Sequence, residues 1–117
     1  MTDTLALSHS SLERWAQNYE FQEPKEIEQF LLHHQELIPL LAEAPKPIAE
    51  VFGYVPLRLK LEHDLEEATQ TLFIVISTSL SSEEALKREE RLMEEWFLDR
   101  MDVAQGRLNF TEEFDGI

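Results

Sequence analysis

At Pro56 the spacing of apolar side chains changes from helical to two-residue alternation, and few folds accommodate that change. Before it, Ile27, Phe30, Leu31, His34 and Ile38 recur at steps of three and four, and Leu41, Ala44, Ile48, Val51 and Phe52 continue the pattern. After it, Leu57, Leu59 and Leu61 alternate with Arg58, Lys60 and Glu62, which describes a strand with one polar face. Residues 72–76 are then apolar without interruption and rich in β-branched side chains, the pattern of a strand buried on both faces. The polar segment 63–70 between the two is short enough to make them a hairpin.

Proline marks the helical half. Pro24 suits the first turn of a helix, where its missing N–H has no partner to lose. Pro39 bends that helix or begins another. Pro45 and Pro47 conflict with a continuous helix, so a break is expected near residues 44–47, with a short helix resuming at Pro47 and ending by Gly53.

Beyond the hairpin, Ser81 or Ser82 caps the next helix; Glu84 three residues after Ser81 gives a capping box, and Glu83 and Glu84 suit the positive end of the helix dipole. The expected inward stripe of this helix is Ala85, Leu86, Leu92, Met93, Trp96, Phe97 and Met101, interrupted by Glu89 and Glu90. The helix ends by Gly106. Leu108, Phe110 and Phe114 suggest a last strand, whose alternation Glu112 breaks.

The expected fold class is α+β in the order α-α-β-β-α-β, a three-stranded mixed sheet packed on helices. A right-handed crossover sets the last strand parallel to the second, and the strand buried on both faces is best placed in the middle. Residues 1–24 form an N-terminal segment, partly flexible or a short helix bearing Leu12, Trp15, Ala16 and Tyr19. Residues 25–117 form a single α+β domain.

One mismatch follows. The outer strands each have a polar face, but residues 72–76 are apolar on both. Either Leu72, Ile74 and Ile76, or Phe73 and Val75, must therefore share a face with Arg58, Lys60, Asn109 and Thr111. That stripe calls for cover, from the Trp15–Tyr19–Phe21 segment folding back or from a second copy of the chain.

Charge narrows the partners. The chain carries 24 acidic and 10 basic side chains, a net charge of −14. Such an excess of carboxylates repels phosphate backbones and anionic lipid surfaces, so neither nucleic acid nor membrane is an expected partner. No apolar run approaches the roughly 20 residues needed to span a bilayer. The N-terminus lacks the basic and apolar regions of a signal peptide, which sets the expected location in the cytoplasm.

Chemistry has few footholds. The chain has no cysteine, which excludes thiolate ligands and nucleophiles. His33 and His34 point about 100° apart on a helix, whereas helical zinc pairs use steps of three or four. Gly53, Gly106 and Gly116 are the only glycines, too scattered for a phosphate loop. The glutamate pairs Glu66-Glu67, Glu83-Glu84, Glu89-Glu90 and Glu94-Glu95 suit solvated surfaces. No catalytic residue, metal ligand or cofactor is expected. Trp96 and Phe97 are adjacent, so one of them should reach the rim, where Trp often anchors a partner. Glu89 and Glu90 face the same side and are candidates to pair with Arg58, Lys60 or a partner.

FLLHHQELIPLLAEA at 30–44, TSLSSEEALKREERLMEEWFLD at 78–99 and the following GRLNF resemble a family of small, acidic, uncharacterised α+β proteins found mainly in cyanobacteria. The resemblance covers roughly residues 26–112 and is most specific at Leu37–Ala44 and Glu94–Asp99. It implies the α+β fold and no particular activity.

The function expected from the sequence is a non-catalytic, acidic protein-interaction module, neutralising or regulating a basic protein partner, with a homodimer as one form. The interaction residues it points to are Trp15, Tyr19, Phe73, Val75, Glu89, Glu90 and Trp96. The alternative is a small enzyme or enzyme subunit with a carboxylate and His34 in a cleft between helices and sheet.

Overall fold

The computed structural model describes residues 15–114. The α+β class holds, but the sheet has four strands rather than three, in the order β1-β2-β3-β4. β2 (Leu57–Asp64) and β3 (Thr69–Thr78) are the expected antiparallel hairpin, and β4 (Leu108–Phe114) lies parallel to β3. The additional strand is β1 (Glu20–Phe21), parallel to β2 with Glu20 opposite Arg58 and Phe21 opposite Leu59. Two residues are too few to display a period, so sequence patterning has no hold on β1. The strand with two apolar faces, β3, sits inside the sheet with a full partner on each side.

The hairpin is tighter than the expected 63–70 loop. Asp64 Oδ1 accepts the backbone N–H groups of Glu66 and Glu67 at 3.0 and 3.2 Å, and Ala68 adopts φ 55. A carboxylate that mimics a backbone turn in this way lets both strands extend closer to the tip.

The register decides which side of β3 meets the helices. Leu57, Leu59 and Leu61 pair with Ile76, Ile74 and Leu72, and across the sheet Leu72 and Ile74 pair with Leu108 and Phe110. All of these are buried in one cluster with residues from the helices. Val75 and Phe73 therefore occupy the opposite face, beside Arg58, Lys60 and Thr111.

Helix α1 (Pro24–His33) begins at its proline and buries Ile27, Phe30 and Leu31. A 3-10 turn (Gln35–Leu37) leads into α2 (Ile38–Glu43), and α3 (Pro45–Phe52) follows directly. The expected break at 44–47 is only a junction: Ala44 is helical at φ −57, and α3 starts at Pro45 rather than Pro47. Both prolines fall in the first turn of α3, where backbone N–H groups lack helical partners, so neither costs a bond. Gly53 ends α3 at φ 87.

Helix α4 (Ser82–Leu92) has the expected cap, Ser81 Oγ accepting the Glu84 N–H at 3.1 Å. It then changes pitch. Met93–Phe97 is a π-turn, Leu98–Arg100 a 3-10 turn, and α5 (Met101–Ala104) closes the segment before Gln105 and Gly106 turn at φ 47 and 75. Hydrogen bonding from i to i+5 fits an extra residue into the turn and narrows the angle between neighbours. Trp96 and Phe97 are consequently both buried, at 5% and 4% exposure, and the expectation of one at the rim is corrected. Past the π-turn the stripe shifts, which leaves Met101 exposed; Leu86 is exposed as well.

Candidate functional site

Every described helix contributes to the single core on one side of the sheet. The other side is a shallow open face, a depression of about 850 Å³ lined by Arg58, Lys60, Glu62, Phe73, Val75 and Glu113 among others. Strand alternation places these side chains there, because each lies one step out of phase with the core positions of its strand.

Ion pairs frame this face. Arg58 Nη1 donates to Glu113 Oε1 at 2.7 Å and Nη2 to Oε2 at 3.0 Å, a two-pronged bridge from β2 to β4. The Glu113 carboxylate, through these bonds, raises the Arg58 pKa further, and Arg58 in turn holds Glu113 below the usual carboxylate range. Lys60 Nζ lies 2.9 Å from Glu62 on the same strand. Phe73 is half-buried between these polar groups, and Val75 is 4% exposed. The hairpin tip adds Asp64, Leu65 and Glu66 to the rim, with Leu65 almost fully exposed.

The seven residues singled out from sequence fall in three places. Phe73 and Val75 lie on the open face. Trp15 and Tyr19 are buried on the helix side, where the Tyr19 hydroxyl donates to the Leu41 carbonyl at 2.7 Å and Trp15 packs against Tyr19 and Phe21, 5.8 Å between ring centroids in each case. Their segment therefore does not fold back over the open face: β1 pairing puts Phe21 on the Leu59 side. Trp96 is also inside, its indole N–H donating to Glu43 Oε1 at 2.8 Å while Arg100 bonds the same oxygen. These bonds lower the Glu43 pKa.

Glu89 and Glu90 pair with neither Arg58 nor Lys60, whose partners are Glu113 and Glu62. Glu90 is exposed, and Glu89 faces Glu112 of β4. Glu112 pairs with Ile76, so its side chain belongs to the helix side. Burial first, and then the neighbouring Glu89 charge, raise its carboxyl to about 7. The missed sites had faint signals: the interruption of the α4 stripe at Glu89 and the broken alternation at Glu112 are the two halves of one contact.

The three described histidines, His33, His34 and His63, each have their own neighbours. His33 Nδ1 lies 2.9 Å from the Gln29 carbonyl, and His34 packs on Phe30. His63 sits between Glu26 and Gln70 at 3.3 and 3.2 Å. Among the described residues no group of three or more His, Asp or Glu side chains is arranged to hold a metal ion, and no helix is long and apolar enough to cross a membrane. Comparison with protein-family models, curated proteins and solved structures gave no match.

Proposed function

We propose that the chain is a non-catalytic interaction module that docks a basic protein on the open face of its sheet. The observation that carries this is the pairing of Phe73 and Val75 with an acidic frame on the face no described helix covers. Lys60 and Arg58 are matched by Glu62 and Glu113, which leaves Asp64 and Glu66 at the rim without a described cation. An apolar centre with a negative border favours a partner presenting an apolar contact ringed by Lys or Arg. Neutralising or regulating such a partner is the role this face suits, and the resemblance to small acidic α+β proteins adds no activity to it.

The test is capture of a basic protein on immobilised chain at low and then high salt, with wild type and Phe73→Asp compared. The reading expects a partner held by wild type, released by salt and not held by the variant. Retention of no protein at any ionic strength, or equal retention by the variant, contradicts it. Sedimentation of the isolated chain separates the homodimer form, since a second copy on this face gives a dimer that Phe73→Asp dissociates.

One observation favours the second reading, a small enzyme with a carboxylate between helices and sheet. A carboxyl raised to about 7, as in Glu112, lies in the range of a general acid. His34, the other residue of that reading, sits instead near His63 beside the hairpin. Turnover of a generic ester, phosphoester or glycoside that is lost in Glu112→Gln would support this reading over the first.

A further inference from the structure

We propose that Glu112 of β4 holds a proton against Glu89 of α4 in the folded protein and acts as a pH-sensitive latch between the helix and the edge of the sheet. The geometry begins with register. Glu112 stands opposite Ile76, a fully buried core position, so β4 directs a carboxyl toward the helix layer where Leu108 and Phe110 place apolar side chains. The Oε2 atom of Glu112 is buried and has no described hydrogen-bond partner. Glu89, on the interrupted stripe of α4, is the side chain that meets the Glu112 carboxyl.

The groups around the pair leave it without a counter-charge. On α4, Arg88 turns away, its guanidinium bound to Glu84 Oε2 at 3.0 Å and to the Val51 carbonyl at 2.7 Å. From β3 the neighbours are Ile76 and Thr78, and the Thr78 hydroxyl oxygen accepts the Leu80 N–H. On β4 itself Glu113 points to the other face and is bound by Arg58. Among the described residues no Lys or Arg bridges either Glu89 or Glu112. A charged Glu112 so placed meets burial and the Glu89 side chain unfavourably, whereas a protonated Glu112 can donate to Glu89.

The direction of the pH effect follows. Glu112 is raised from 4.5 to about 7, so between those values the folded state holds a proton that the unfolded chain has released. The stabilisation is complete below the unfolded value and is lost as pH rises through about 7. Above that range Glu112 is charged beside Glu89, and the end of β4 is pushed from α4. Because Thr111 and Glu113 flank Glu112 on the open face, the same strand end carries the latch and part of the docking frame. The latch itself does not depend on what docks there.

Carboxyl-carbon NMR titration of the full chain is the direct test, joined to urea unfolding of wild type, Glu112→Gln and Glu89→Gln at about pH 5.5 and pH 8.5. The expected result is a glutamate carbon titrating near neutral pH, assigned to Glu112, whose midpoint drops in Glu89→Gln. The wild-type folding constant should fall on the order of tenfold to a hundredfold more across that interval than the constant of Glu112→Gln, whose amide donates at every pH. Titration of all glutamates in the ordinary acid range overturns the proposal, and so does an equal alkaline loss in Glu112→Gln. The wild-type titration decides alone should either variant fail to fold.

Discussion

Arg58 and Glu113 join the two strands that flank β3, and Val75 lies in the path between them. Arg58 is paired with Val75 in the ladder, and Glu113 stands two residues beyond Thr111, the partner of Val75 on the other side. The bridge explains why Val75 is only 4% exposed on a face that no described helix covers. Ion pairs of this exposure contribute little to stability. The double variant Arg58→Gln/Glu113→Gln should therefore keep the wild-type urea midpoint. It should also bind more of a hydrophobic dye such as ANS, because Val75 loses its cover. Unchanged dye binding would mean that the bridge does not screen the face.

The two faces of the sheet predict unequal costs for large-to-small substitution. Leu59 is fully buried, and Leu59→Ala should cost about 2–5 kcal/mol. Phe73 is half-buried, so Phe73→Ala forfeits only part of a full burial and should cost less than about 1.5 kcal/mol. Urea unfolding of the two variants checks the assignment. A larger loss for Phe73 would place a covering element on the open face.

The hairpin, the capped helix and the central place of β3 were legible because each rests on a long periodic run or a cap with a fixed offset. Ser81 with Glu84 and the block 72–76 are of this kind. The order of faces was not legible, since Leu72–Ile76 is apolar at every step and only the pairing register separates Phe73 and Val75 from the core. β1 escaped because two residues carry no period. The pitch change at Met93–Phe97 has no composition signal, and it displaced the expected positions of Trp96 and Met101. At the candidate site, Phe73 and Val75 were within reach of sequence reasoning, but the Arg58–Glu113 bridge joins residues 55 apart in the chain and needs the fold to appear.

Glu43 ties α2 to the π-turn through Trp96 and Arg100. Its pKa is lowered, so the stabilisation it gives is present above the usual value of 4.5 and disappears as pH falls through the lower folded value. Tryptophan emission should accordingly shift to the red in that acid range in wild type. Glu43→Gln should abolish the acid step and cost about 1 kcal/mol, the scale of one exchanged hydrogen bond. An acid step that survives in Glu43→Gln would assign it to another carboxylate.

Gly53 closes α3 at φ 87 and ψ −178, a conformation almost confined to glycine. No atom lies within 4 Å of where a β-carbon would sit, so Gly53→Ala meets no steric obstacle beyond its own backbone. The substitution should cost about 1–3 kcal/mol, measured by thermal or urea unfolding. A neutral result would show that the junction before β2 relaxes freely.

The docking claim is tested most directly by methyl and aromatic NMR of the chain as a captured basic partner is added. The account predicts shifts concentrated at Val75, Phe73, Thr111 and the side chains of Arg58 and Lys60, with Ile27, Leu41 and Leu92 on the helix side unmoved. Shifts confined to the helix side, with Phe73 and Val75 unchanged, would contradict it.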